Sequence, residues 1–107
     1  MDPLGDLEQL VLLAVLRVGH DAYGVPVHSE ILNRAGRDLT LGTIYKTLAR
    51  LEAKGLVSSR IGAPTAYRGG RRTRCYSVTA AGKRALQASL QSLRRMAAGL
   101  DVGLEPS

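Results

Sequence analysis

The chain has 107 residues, a net charge of +6 and an isoelectric point near 10.1, and 45% of its residues are apolar. These values fit one globular domain and exclude wholesale disorder, and the longest apolar run, residues 10–16, is far shorter than the roughly 20 residues of a membrane-spanning helix. The chain begins with acidic residues where a signal peptide would be basic, so we expect a cytoplasmic protein.

Basic residues are concentrated in the middle and later parts of the chain. Between residues 34 and 95 there are fourteen Lys and Arg side chains but only two acidic ones, Asp38 and Glu52. Neutralisation of phosphates by such side chains releases counterions and dominates affinity for nucleic acids. The distribution therefore favours a polyanionic partner, double-stranded DNA above all.

Catalytic and metal-binding patterns are missing from the sequence. Cys75 is the only cysteine, which excludes an internal disulfide and a thiolate cluster. There is no phosphate-binding Gly-Lys loop, and His20 and His28 have no third ligand near them in sequence. We expect neither an enzyme, nor a cofactor, nor a metal site.

The first two helices are predicted at residues 7–18 and from residue 25 or 26 to residue 34 or 35. The first helix is apolar almost all the way round, although a helix on the surface of a monomer needs only one apolar face. This surplus apolar surface suggests that another chain covers a second face of the helix. In the second, Pro26 fits a first-turn position and Gly36 ends the helix.

The third predicted helix, within residues 38–55, carries the donor-rich surface. Thr40 is a suitable N-cap, and Gly55 stands where a residue with positive φ usually ends a helix. The apolar stripe consists of Leu41, Ile44, Leu48 and Leu51. Hydrogen-bond donors and cations form the opposite arc: Thr43, Lys46, Thr47, Arg50 and Lys54. Such a face suits the major groove of DNA, although a solvated surface helix would show the same pattern.

Two alternating segments, residues 56–61 and 73–79, predict an antiparallel hairpin with an irregular loop between them. Arg68, Arg71, Arg72 and Arg74 are placed in or beside that loop, where they would contact DNA or remain solvated. The element order predicts a mainly α fold with a small β-hairpin, the winged helix-turn-helix, in residues 1–79.

A last helix is predicted after Thr79, its N-cap, and extends to about residue 98. Its apolar residues recur in a heptad-like seam from Leu86 to Leu100. We expect residues 80–99 to form a dimerisation helix that pairs with the first helix of a second copy, and residues 100–107 to form a flexible tail. The alternative is a helix that folds back on its own domain.

Two segments resemble the PadR family of bacterial transcriptional regulators: residues 41–57 (LGTIYKTLARLEAKGLV) and residues 72–83 (RTRCYSVTAAGK). Tyr23 and Gly24 are similar to a Tyr-Gly pair that precedes the second helix in that family, and the short last helix resembles its small subfamily. The resemblance implies a homodimer that is joined through the first and last helices and binds a palindromic operator, usually as a repressor. It also implies a response to small molecules, for which this chain, without Trp or Phe, offers no large aromatic plate.

Lys46 and Arg50 are the candidates for guanine contacts and Thr43 for a phosphate or a thymine methyl group, while the Tyr45 hydroxyl would reach a phosphate. The predicted DNA-binding residues are Thr40, Thr43, Tyr45, Lys46, Thr47, Arg50, Lys54, Arg68, Arg71, Arg72 and Arg74. The predicted dimerisation residues are Leu10, Leu13, Ala14, Leu86, Leu90, Leu93 and Ala97.

The function predicted from the sequence is that of a homodimeric, sequence-specific DNA-binding regulator. The alternative is a winged-helix module that binds protein or RNA without operator specificity, because the fold alone does not separate these functions.

Overall fold

The computed structural model describes residues 4–62 and 73–100. The elements in chain order are α1 (Asp6–Val18), a short 3-10 turn (Gly19–Asp21), α2 (Gly24–Ala35), α3 (Leu41–Ala53), β1 (Val57–Ile61), β2 (Arg74–Val78) and α4 (Ala80–Ala97). This mainly helical fold with one hairpin confirms the predicted winged helix-turn-helix. Arg68, Arg71, Arg72 and the predicted tail from residue 101 lie outside the described residues.

Local capping signals set the helix boundaries. The hydroxyls of Thr40 and Thr79 accept the backbone N–H groups of Thr43 and Gly82, at 3.1 and 3.0 Å, so both predicted N-caps are confirmed. Gly36 and Gly55 have φ values of 67° and 75°, a conformation that side chains with a Cβ rarely adopt. The helices therefore end where the sequence predicted, within one or two residues.

The hairpin pairs β1 with β2 antiparallel, in the register Val57↔Val78 through Ile61↔Arg74. Tyr76 of β2 also donates its backbone N–H to the carbonyl of Ala22, which attaches the sheet to the segment between α1 and α2. The two-stranded sheet is thus anchored to the helical layer instead of standing alone.

The core is aliphatic and lies where α1, α2, α3 and the hairpin meet. Its fully buried side chains include Val11, Leu12 and Val15 of α1, Val27 of α2, and Ile44, Leu48 and Leu51 of α3. Leu41, which was predicted to belong to this stripe, is 41% exposed, because the first residue of α3 lies at the edge of the core.

The beginning of α4 belongs to the same core. Leu86 is only 4% exposed, and an added Cβ at Gly82 would collide with the carbonyl oxygen of Leu56. The second half diverges, since Leu93 is 58% and Met96 78% exposed. The first turns of α4 therefore fold back on their own domain, as the alternative prediction had it. The later turns expose their apolar side chains, and their pairing with a second copy stays a prediction.

Candidate nucleic-acid interface

The outer face of α3 presents two cations one helical turn apart. Lys46 and Arg50 are both exposed, whereas Ile44 and Leu48 on the opposite side are fully buried. Ala49, which the sequence reasoning missed, is exposed beside Arg50 and adds a methyl group to the same surface. This combination of cations and a small apolar group is of the kind that reads base edges in a major groove.

Thr47 does not belong to that face, and its predicted outward position is wrong. Its side chain is 2% exposed, and its hydroxyl donates to the carbonyl oxygen of Thr43 at 2.8 Å. A threonine hydroxyl can satisfy itself within its own helix, which leaves the methyl group to pack against the core. The buried face of α3 therefore covers a wider part of the helix surface than the spacing of its leucine and isoleucine residues predicted.

The amino-terminal turn of α3 carries two hydroxyl groups in contact. Thr40 donates its hydroxyl hydrogen to the Thr43 hydroxyl oxygen at 2.9 Å while accepting the Thr43 N–H. The Thr43 hydroxyl thus keeps its own hydrogen for an external acceptor. Together with the positive end of the helix dipole, this turn suits an anionic oxygen.

Tyr45 extends from α3 across the start of α2. A Cβ at Gly24 would lie within collision distance of the Tyr45 hydroxyl, and 2.9 Å from Cε2 of its ring. Gly24 is buried, whereas Tyr45 remains 40% exposed. The hydroxyl end of the Tyr45 side chain therefore packs against the backbone at Gly24 while the residue stays partly accessible, and the predicted contact of its hydroxyl with a phosphate stays a prediction.

Lys54 has an internal partner that the sequence did not reveal. Its Nζ lies 2.8 Å from Oε2 of Glu8, whose side chain is 6% exposed. The spacing between Gly5 and Glu8 could have predicted that Glu8 caps α1, as it does by accepting the Gly5 N–H at 2.9 Å. No local pattern pairs it with a residue 46 positions later.

Burial alone would raise the pKa of Glu8. The hydrogen bonds from Lys54 and from the Gly5 backbone, with the nearby charges of Lys54 and Arg50, outweigh it and hold that pKa below its ordinary value. Glu8 therefore remains a carboxylate in spite of its burial.

Hydrogen bonds attach the hairpin to α3. Arg74 of β2 donates to the Ser59 hydroxyl at 2.9 Å, and Ser59 donates in turn to Glu52 of α3 at 2.6 Å. Arg60 of β1 donates to the backbone carbonyl of His20 at 2.8 Å. The bonds through Ser59 fix the base of the predicted wing next to the carboxyl end of α3, and the bond from Arg60 fixes it to the turn after α1.

The Transcriptional regulator PadR-like family matches this sequence over residues 12–88. The chain belongs to that family. No curated protein matches the sequence significantly.

Solved structures agree with the PadR-like assignment. A PadR family regulator from Clostridium difficile is 27% identical, with a TM-score of 0.71 over 86% of this chain and 91% of that one. A PadR-like transcription factor from Bacteroides fragilis is also 27% identical, with a TM-score of 0.65 over 84% of each chain. A PadR family regulator from Eggerthella lenta, 24% identical, shares the fold with a TM-score of 0.70 over 92% of this chain and 84% of that one. This chain is accordingly a member of a family of transcriptional regulators and has a winged-helix DNA-binding fold.

The predicted dimerisation residues of the PadR-like chain fall into three groups. Ala14 and Leu86 are buried in their own domain and have little surface left for a partner, which corrects the prediction for these two. Leu10, Leu13 and Leu90 are half-buried against the core. Leu93 and Ala97 are exposed.

A hollow of about 280 Å³ lies between α1 and α2, lined in part by Leu10, Leu13 and Ile31. A second hollow of the same size lies between α1 and α4, lined in part by Leu16 and Leu90. Both sides of α1 thus border apolar space that no side chain among residues 4–62 and 73–100 fills.

Over residues 4–62 and 73–100, no group of three His, Cys, Asp or Glu side chains is arranged to hold a metal ion. The same residues contain no helix that is both long and apolar enough to span a membrane. Nε2 of His28 lies 3.4 Å from Oδ1 of Asp38, which precedes the N-cap of α3 by two residues.

Proposed function

We propose that this PadR-like regulator is a homodimeric cytoplasmic repressor that binds an inverted-repeat operator through α3 of each protomer. The exposed row of Lys46, Ala49 and Arg50 on α3, opposite fully buried Ile44 and Leu48, is the observation that carries this proposal. A helix held by its apolar side and charged on its outer side can enter a major groove without loss of core packing.

Different parts of the surface would contribute affinity and specificity. Lys46 and Arg50 read bases, and the hydroxyls of Thr43 and Tyr45 contact phosphates. Arg74 of β2 and the arginines that precede it in the sequence, Arg68, Arg71 and Arg72, add sequence-independent affinity through contacts with the DNA backbone or the minor groove.

The dimer is supported by the exposed apolar side chains of α4 and α1. Leu93, Met96 and Leu100 are 58%, 78% and 60% exposed, and Leu16 is 42% exposed. Contiguous apolar surface of this kind marks an interaction site in soluble proteins. A two-fold dimer presents two copies of α3 in opposite directions, which matches an inverted repeat.

Release by a small-molecule inducer is the remaining part of the proposal. The hollow between α1 and α2, of about 280 Å³, is near the lower limit for ligand pockets and is mainly apolar. It accommodates a small apolar molecule beside α1, the helix that we place in the dimer interface.

The test compares the binding of two duplexes, the operator enriched from a random pool and a scrambled sequence. Arg50→Ala should lower operator affinity by about 1–3 kcal/mol, the value of one good base contact, and should affect the scrambled duplex less. Thr47→Val is the matched control, because Thr47 is buried on the same helix and its substitution should leave the operator preference unchanged. Equal losses on both duplexes for Arg50→Ala would contradict base reading by α3.

A further inference from the structure

The first turn of α1 holds both ends of α3. Arg37, three residues before the N-cap Thr40, donates from Nη1 to Oδ2 of Asp6 at 2.8 Å. Lys54, the first residue after the last turn of α3, donates from Nζ to Oε2 of Glu8 at 2.8 Å. Two carboxylates that are two residues apart thus bind one cation at each end of the same helix.

The Glu8 end is the more rigid of the two. Both carboxylate oxygens of Glu8 are occupied, Oε1 by the Gly5 N–H and Oε2 by Lys54. The side chain is 6% exposed, so movement of Lys54 would remove the cation that is hydrogen-bonded to a buried carboxylate. The Asp6–Arg37 pair is solvated, with 74% and 44% of its side chains exposed, and is expected to hold α3 more weakly.

We propose that Glu8 and Lys54 are positioning residues that set the orientation in which α1 presents α3 to DNA. Lys54 acts through its bond to α1 and does not neutralise a phosphate. The inference rests on the proposed function and adds regulation to it. When α1 is displaced at the dimer interface, the Glu8–Lys54 pair transmits that displacement to α3.

The experiment measures the operator-to-scrambled affinity ratio and its salt dependence for Glu8→Gln, Lys54→Met and the double variant. If the pair positions α3, each single variant lowers the ratio by roughly two- to thirtyfold, and the double variant lowers it no further than the worse single variant. The slope of log affinity against log salt remains that of the wild type, because no phosphate contact is lost.

Direct phosphate binding by Lys54 gives the opposite pattern. Lys54→Met would then weaken both duplexes alike and reduce the salt slope by about one phosphate contact. Glu8→Gln, which releases Lys54, would strengthen binding to both duplexes. Either result overturns the positioning role.

The matched control is Glu30→Gln, which removes the Arg34–Glu30 pair (3.1 Å) within α2 without touching α3. It should leave the ratio unchanged. If Glu8→Gln does not fold, as judged by circular dichroism, Asp6→Asn is measured in its place. Asp6 is exposed, and its substitution should lower the ratio in the same direction by a smaller factor.

Failure of this inference is distinguishable from failure of the proposed function. A wild-type protein without operator preference contradicts the proposed function, and the inference falls with it. A wild-type protein that prefers its operator, with Glu8→Gln and Lys54→Met behaving like Glu30→Gln, overturns the inference alone.

Discussion

The ring of Tyr45 occupies the space that a side chain at Gly24 would need, so α2 and α3 meet through an aromatic ring packed on bare backbone. This contact gives a structural reason for the glycine of the Tyr-Gly pair, which is the first residue of α2. It also holds Tyr45, part of the proposed phosphate contact, against buried backbone.

Gly24→Ala should lower the free energy of unfolding by about 1–3 kcal/mol, because the new methyl group must displace the Tyr45 ring. Urea unfolding measures this loss. In a Tyr45→Ala background the same substitution should cost less, since the obstructing ring is gone.

Gly42→Ala is the matched control for Gly24→Ala. A Cβ at Gly42 meets only the Thr40 hydroxyl oxygen at 3.9 Å, so this variant should gain up to about 1 kcal/mol from helix propensity. Equal effects at the two glycines, or the same Gly24→Ala cost with and without Tyr45, would show that the ring is not the obstacle.

Gly82→Ala should detach the start of α4 from the hairpin. The added Cβ would collide with the Leu56 carbonyl oxygen and lie 2.8 Å from Cγ1 of Val78. Because backbone cannot move aside as a flexible side chain can, we expect a destabilisation of about 3 kcal/mol, at the upper end of the range for overpacking. Urea unfolding that showed no loss beyond that of Gly42→Ala would contradict this packing.

Stability should depend on pH through Glu8. Its pKa in the folded protein lies below the ordinary value of 4.5, so its stabilising contribution is complete above pH 4.5 and is lost as the pH falls through the lower, folded-state pKa. The free energy of unfolding of the wild type, measured with urea at a series of acidic pH values, should therefore fall more steeply than that of Glu8→Gln. Parallel curves for the two proteins would mean that the carboxylate of Glu8 does not contribute.

Leu93→Glu should weaken the dimer. A charge in the exposed apolar seam of α4 should raise the dissociation constant by at least about thirtyfold, the effect of a 2 kcal/mol interface residue, as measured by sedimentation equilibrium. Gln91→Glu adds the same charge at an exposed polar position of α4 and serves as the control. Unchanged self-association of Leu93→Glu would place the interface elsewhere.

Features that depend on neighbouring residues could be predicted from the sequence. Thr40 and Thr79 cap helices through backbone groups three residues away, and Gly36 and Gly55 end them by their own conformation. The hairpin strands were also placed within one residue of their ends, because alternation and the flanking glycines are local signals.

Features that depend on distant parts of the chain could not be predicted in this way. Thr47 was placed outward as one of the hydrogen-bond donors opposite the apolar stripe, but the tertiary packing of α3 buries its side chain. The Glu8–Lys54 pair joins residues 46 positions apart, and no periodicity connects them. The role of Leu86 changed for the same reason, since the depth to which α4 packs on its own domain depends on the contact of Gly82 with Leu56.

Selection of bound duplexes from a random pool at physiological salt would show whether paired α3 helices read an operator. Two copies of α3 in a two-fold dimer should enrich an inverted repeat whose half-sites are centred about one helical turn, or a multiple of it, apart. Enrichment of a single unrepeated site, or no enrichment at all, would contradict a dimer that reads its operator through paired α3 helices.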